Sequence, residues 1–128
     1  MPGAHGLTVT GLDHIVLKTP DVEASVAWYR DVLGLEILGL DEWRDGKLFF
    51  PSARVDATTI IDFLGVEQTG ENLDHFALVI DGITTDELAA TGAFTIEDGP
   101  GDRSGAQGTG RSIYVRDPAG VLVELRSS

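Results

Sequence analysis

Several absences narrow the classes of protein to which this chain can belong. None of its 128 residues is cysteine, which excludes a disulfide framework, a thiol nucleophile and cysteine metal ligands. No stretch reaches the roughly 18 consecutive apolar residues that span a bilayer. The first residues have neither the basic start nor the apolar run of a signal peptide. No glycine-rich nucleotide motif occurs, so a nucleotide cofactor is not indicated.

Basic residues are also scarce. Lys and Arg number 9 against 21 Asp and Glu, which gives a formal net charge of −12. Binding of nucleic acid depends on Lys and Arg that neutralise phosphates, and anionic membrane surfaces attract the same residues. We therefore expect neither nucleic acid nor a membrane as a partner. The length predicts one compact domain over residues 1–128, and we expect it to be cytoplasmic.

The chain contains an internal repeat. The segment LDHIVL at 12–17 returns as LDHFAL at 73–78, and Asp62 in IIDFL precedes Glu124 in LVELR by 62 residues. Each half thus opens with a histidine in a strand and closes with a carboxylate in a strand. The repeat predicts two modules, about 8–65 and 73–127, whose pseudo-twofold axis brings the histidines and carboxylates together.

Apolar periodicity and turn residues predict the same order of elements in each half: one strand, one helix and three strands. Asp21 is expected to cap the first helix, or Pro20 to start it, and Thr84 or Thr85 to cap the second; Gly34 is expected to end the first helix. The expected strands are 12–18, 35–40, 47–50, 57–64, 73–80, 93–98, 111–117 and 121–127; the helices are 21–33 and 84–92; and the glycine-rich stretch 99–110 is a loop.

Two longer segments resemble a known superfamily. LDHIVLKTPDVEASVAWYRDVLGLEI is similar to the opening module of vicinal oxygen chelate proteins, and GRSIYVRDPAGVLVEL to their closing hairpin. This group includes glyoxalases, extradiol dioxygenases and bleomycin-resistance proteins, and the chain looks most like its small, single-domain, glyoxalase-like members. The resemblance implies an α+β fold in which two βαβββ modules form a cupped, half-open mixed sheet with helices on the outside.

The resemblance also implies a divalent metal ion held by His14, His75 and Glu124. Two imidazoles and a carboxylate suit Fe, Mn, Ni or Zn and leave positions for a small substrate that chelates the metal through vicinal oxygens. Asp62 stands where glyoxalase I carries a glutamate, and it could be a ligand, a base or a solvated residue. Tyr114 is a candidate to hydrogen-bond a chelated oxygen, and Glu124 and Asp62 are the other catalytic candidates.

Three functions remain open at this point. A metal-dependent lyase or isomerase of glyoxalase type is the leading hypothesis. An extradiol dioxygenase is disfavoured because no histidine follows His75 to serve in acid–base chemistry. A metal-free protein that sequesters a drug is the third, although such relatives usually lack the ligand triad. Small relatives are commonly dimers, so we expect a homodimer with a contact near Trp43 or Phe49; the modules could pair within a chain or between chains.

Overall fold

The computed structural model describes residues 2–67, 70–117 and 120–127. The chain divides into two compact units. The middle unit is His14–Asp74, and the terminal unit combines Met1–Asp13 with His75–Ser128. Each unit joins helix to mixed strands, which confirms the predicted α+β class.

The middle unit carries strand β1 (Thr8–Thr19) from His14 onward, together with five further elements. The further elements are α1 (Val22–Asp31), β2 (Glu36–Leu38), α2 (Leu40–Arg44), β3 (Ser52–Asp56) and β4 (Thr59–Gly65). The strands of this unit are ordered β2-β3-β4-β1; β4 runs parallel to β1, and the other pairs are antiparallel.

Helix α1 begins and ends at the predicted signals. The Asp21 carboxylate accepts a hydrogen bond from the Ala24 amide at 3.0 Å, and Gly34 adopts a φ of 72° after the last turn. Val22 and Val26 of the helix pack with Phe63 of β4. Because strand side chains alternate between faces, the residues on either side of Phe63 point to the face opposite the helix.

The terminal unit begins with a short 3-10 turn at Ala4–Gly6 and the first half of β1. The remaining elements are β5 (Leu73–Asp81), α3 (Thr85–Ala90), β6 (Asp98–Arg103), β7 (Gly110–Arg116) and β8 (Leu122–Ser127). The strands of this unit are ordered β5-β8-β7-β6, with β5 and β8 parallel and the other pairs antiparallel. The core lies on the helix side and contains Leu88, Ile113 and Leu125.

In the middle unit one strand prediction was wrong and one strand was not predicted. Residues 47–50 form no strand, whereas Ser52–Asp56, which lie outside the predicted strands, form β3. Helix α2 was not predicted. The run KLFF has strand-forming side chains, but Phe49 is exposed while Ala53 of β3 is fully buried. Burial against α1 therefore selects the segment that forms the strand, in preference to local propensity.

In the terminal unit, too, a predicted strand is absent and a strand forms where none was predicted. Residues 93–97 form no strand, and β6 occupies Asp98–Arg103, inside the stretch expected to be a loop. Gly99 has a φ of 88°, and a Cβ atom there would lie 2.5 Å from the Ser112 carbonyl oxygen. Glycine therefore permits a close approach between β6 and β7 that a larger residue would prevent. None of the helices in the described ranges is long and apolar enough to cross a membrane.

Candidate metal centre

Strand pairing in the terminal unit assembles a polar face opposite the apolar core. Glu124 on β8 pairs with Ala77 on β5 and with Tyr114 on β7. His75 precedes Ala77 by two residues and so shares its face, and Arg126 follows Glu124 by two. The alternation that buries Leu125 in the core thus directs Glu124 and Arg126 to the other side of the sheet.

His75 and Glu124 form a buried pair at the centre of this face. His75 Nε2 lies 3.1 Å from Glu124 Oε1, and the two residues are 8% and 1% exposed. The second oxygen, Oε2, accepts hydrogen bonds from Ser112 Oγ at 2.9 Å and from Arg126 Nη1 at 3.2 Å. The two carboxylate oxygens therefore have different partners: Oε1 contacts the imidazole, and Oε2 accepts hydrogen bonds from a hydroxyl and a guanidinium.

Arg126 is itself only 2% exposed. Besides Glu124, its guanidinium faces Asp13, with 3.6 Å between Nε and Oδ1. A buried ion would be costly without partners, and here two buried carboxylates accompany one buried guanidinium. The formal charges of these three residues leave one net negative charge beside the imidazole of His75.

Tyr114 lies next to the pair. Its ring meets that of His75 edge-on, with 5.4 Å between centroids, and Arg103 Cζ lies 5.7 Å from the Tyr114 centroid. Burial and then the negative charge of Glu124 raise the pKa of the Tyr114 phenol well above its ordinary 10, against a smaller opposing effect of Arg103. The phenol therefore stays protonated at neutral pH and can donate a hydrogen bond.

The middle unit contains the repeat-related residues. His14 and Asp62 are both buried. His14 pairs with Ile60, two residues before Asp62, so both lie on the face opposite α1. The Asp62 carboxylate accepts a hydrogen bond from Ser52 Oγ. Its burial removes the interpretation of Asp62 as a solvated strand residue, while its roles as ligand or base stay predictions.

Three of the predicted site residues, His75, Tyr114 and Glu124, thus come together within the terminal unit. His14 and Asp62 belong to the middle unit, and their joining of one metal site stays a prediction. Sequence reasoning did not identify the partners of the carboxylates. A signal existed for two of them, because Asp13 adjoins the repeated histidine and Arg126 alternates with Glu124 along β8. The missed residues are Ser52, Ser112 and Arg126, which contact the carboxylates of Asp62 and Glu124, and Asp13, which faces Arg126.

The chain belongs to the Glyoxalase/Bleomycin resistance protein/Dioxygenase superfamily, whose family model matches residues 11–125. A virulence protein of Salmonella typhimurium is 26% identical over 93% of this chain and 85% of its own length. A probable lactoylglutathione lyase of Vibrio cholerae is 28% identical over 88% of this chain and 86% of its own length.

Solved structures show the same fold at lower identity. The Mn(II)-bound glyoxalase of Novosphingobium aromaticivorans superposes with a TM-score of 0.67 at 24% identity, covering 94% of this chain and 38% of that one. Methylmalonyl-CoA epimerase of Mycobacterium tuberculosis gives a TM-score of 0.63 at 20% identity, covering 93% of this chain and 88% of that one. The superfamily expected from the opening and closing motifs is confirmed.

Proposed function

We propose that the protein is a divalent-metal-dependent enzyme of glyoxalase type, a lyase or isomerase whose small substrate chelates the metal through vicinal oxygens. The proposed metal ligands are His14, His75 and Glu124. The observation that supports the proposal most directly is the buried pair of His75 and Glu124, which offers an imidazole nitrogen and a carboxylate oxygen side by side.

The donor atoms of this pair suit a transition-metal ion. Ligand bonds from nitrogen and oxygen are about 2.1 Å, so two donors at a right angle around one ion are about 3.0 Å apart. The observed separation of 3.1 Å between Nε2 and Oε1 agrees with that value. The net negative charge of the surrounding buried ions also favours a cation. Imidazole and carboxylate donors suit Mn, Fe, Ni or Zn, and the donor set does not choose among them.

The repeat supports His14 as a further ligand. In each unit a histidine from the repeated LDH segment lies on the face opposite the helix, on a strand parallel to the one that carries the carboxylate. The His14 that completes the half-site of His75 and Glu124 comes either from the same chain or from a partner copy.

A bound metal would draw electron density from the chelated oxygens of the substrate and stabilise the charge that develops on them. The side chains of the protein supply the rest. The protonated Tyr114 phenol, next to His75, is positioned to donate a hydrogen bond to a substrate oxygen. Asp62, if it acts as a base, accepts a proton from the substrate. The name of the Vibrio relative, a probable lactoylglutathione lyase, supports this class of reaction.

The decisive experiment measures metal binding by untagged protein. After treatment with a chelator, the protein is titrated separately with Mn²⁺, Ni²⁺, Zn²⁺ and anaerobic Fe²⁺, and bound metal is counted by elemental analysis. We expect one ion per chain. Glu124→Gln should weaken binding at least tenfold, because even changes around metal ligands cost 10–100-fold. Asp62→Asn is the matched change in the other unit. If it weakens metal binding as much as Glu124→Gln does, Asp62 is a fourth ligand.

A metal-free binding protein is the second candidate, since the contact between His75 and Glu124 is also a good hydrogen bond. Failure of all four metals to bind at neutral pH would favour that function. An extradiol dioxygenase would instead consume oxygen in the presence of a catechol and Fe²⁺, which a lyase or isomerase would not do.

We also propose that the protein is a homodimer. Phe49 in the middle unit is 91% exposed, and Val32 and Leu33 are exposed as well. Trp43 packs partly against the core of its own unit, which makes Phe49 the better candidate for an intermolecular contact. Light scattering at micromolar concentration should give the mass of a dimer, and Phe49→Ser should shift it toward the monomer. A monomeric wild-type protein would contradict this proposal.

A further inference from the structure

We propose that Arg126 is a positioning residue for Glu124, and that the glycine-rich loop 103–108 holds the Arg126 guanidinium in place. The inference builds on the proposed function, because the Oε1 atom that it positions is the proposed metal ligand. It concerns the terminal unit only and assigns a purpose to part of the glycine-rich stretch 99–110.

The loop surrounds the guanidinium with acceptors. Arg126 Nη1 donates to the Ser104 carbonyl oxygen at 2.9 Å, and Nη2 donates to those of Gly108 at 3.0 Å and Arg103 at 3.3 Å. Together with the bond to Glu124 Oε2, these contacts occupy the fork of the guanidinium from several directions. A planar fork held in this way has little freedom to rotate, so it fixes the oxygen that it contacts.

The glycines of the loop make room for this arrangement. A Cβ atom on Gly105 would lie 2.4 Å from Arg126 Cζ, and one on Gly110, where β7 begins, would lie 2.6 Å from Nη2. Neither glycine has a positive φ, so backbone conformation does not require glycine there. The absence of side chains is what admits the guanidinium. The loop therefore packs closely against the Arg126 guanidinium.

Asp13 closes the assembly on the other side. Its Oδ2 accepts a hydrogen bond from the Ala106 amide at 3.0 Å, while its Oδ1 faces Arg126 Nε. One carboxylate thus holds both the loop and the guanidinium, and both partners are buried. Loop, Asp13 and Arg126 form a single connected group, and Arg126 also contacts Glu124.

As a consequence, the two carboxylate oxygens of Glu124 have different partners. Arg126 and Ser112 hold Oε2, which leaves Oε1 directed at His75. A carboxylate held at one oxygen presents the other as a single donor atom in a fixed place, and such support is what makes a metal ligand precise. Moving the guanidinium by even an ångström should move Oε1 as well.

Gly105→Ala tests this without removing any charge, because the new methyl group would displace the guanidinium. Gly11→Ala is the matched control: Gly11 lies in the same unit, has no positive φ, and a Cβ there would meet nothing within 4 Å. Arg126→Lys keeps the charge and loses the fork. Each untagged variant is labelled with ¹³C at the glutamate carboxyl carbon, and the Glu124 resonance is assigned from the Glu124→Gln spectrum. Mn²⁺ affinity is then measured by calorimetry.

We expect Gly105→Ala and Arg126→Lys to shift the metal-free Glu124 carboxyl resonance and to weaken Mn²⁺ binding at least tenfold, with Gly11→Ala like the wild type in both. A folded Gly105→Ala protein with an unshifted resonance would overturn the inference, and so would a shifted resonance with affinity within twofold of the wild type. If Arg126→Lys fails to fold, Gly105→Ala decides. If the wild type binds no metal, the proposed function fails, and the resonance alone decides whether Arg126 positions Glu124.

Discussion

Asp62 in the middle unit and Glu124 in the terminal unit are repeat-related, yet their surroundings differ. Both are buried on β-strands, and both accept a hydrogen bond from a serine on the adjacent antiparallel strand. Two residues further along, the middle unit has Leu64 where the terminal unit has Arg126. The terminal unit therefore places a guanidinium, itself facing the Asp13 carboxylate, beside Glu124, where the middle unit has an apolar side chain.

The two units thus keep the same order of strands while the residues beside the carboxylate differ. The serine and carboxylate are common to both units and belong to the shared architecture of the sheet. The arginine and its loop occur in the terminal unit, where the carboxylate is also one methylene longer. We infer that the terminal unit carries the strongest part of the proposed metal site, and the following substitutions test the contrast.

Replacing Arg126 with Met should have the largest effect on stability. The change leaves the buried carboxylates of Asp13 and Glu124 without their guanidinium, and breaking a buried ion pair costs about 3–5 kcal/mol. Leu64→Met, at the equivalent place in the middle unit, should cost under about 1.5 kcal/mol because it conserves volume. Urea unfolding at pH 7 measures both. Equal losses at the two positions would show that the contrast between the units has no energetic basis.

The second largest difference in stability should be between the two aspartates of the repeated LDH segments, Asp13 and Asp74. Asp13→Asn weakens the interaction with Arg126 and the bond from the Ala106 amide, and hydrogen bonds to charged groups contribute about 1.5–3 kcal/mol. Asp74 is partly exposed and lies 3.9 Å from Lys18, so Asp74→Asn should change the free energy of unfolding by less than about 0.5 kcal/mol. Thermal unfolding of the two variants measures both losses of stability. A larger loss for Asp74→Asn than for Asp13→Asn would contradict this prediction.

The two serines sharpen the comparison because their structural roles match. Ser52→Ala and Ser112→Ala each remove a hydrogen bond to a buried carboxylate, and each should cost about 1.5 kcal/mol of unfolding free energy. Mn²⁺ affinity should separate them, because only Ser112 holds Glu124. Calorimetry should therefore show weaker binding for Ser112→Ala alone. Equal weakening by Ser52→Ala would bring Asp62 into the metal site.

The smallest effect should come from Tyr114 at alkaline pH. Its pKa is raised in the folded protein above the ordinary value of 10, so the folded state keeps a proton that the unfolded state releases. That contribution to stability is fully present below pH 10 and declines as the pH rises above it. Urea midpoints measured between pH 8.5 and 10.5 should fall more steeply for the wild type than for Tyr114→Phe. Parallel curves would contradict the raised pKa.

The sequence predicts the repeat, the starts of α1 and α3 and the strands that carry His75 and Glu124, because those signals are local. It does not predict β3, β6 or α2, which depend on burial and on the approach of neighbouring strands. The candidate site follows the same division. His75, Tyr114 and Glu124 could be chosen by motif, whereas Asp13 and Arg126 are separated by more than a hundred residues and meet only through folding.

Strand β1 has a further consequence for how the protein can be divided. The boundary between the two units falls between Asp13 and His14, although the two residues are neighbours in one strand. A fragment that begins at the second LDH segment would therefore lack the aspartate that anchors Arg126 and the Ala106 amide. We therefore expect the second module expressed alone to be less stable than one supplied with the opening residues of the chain.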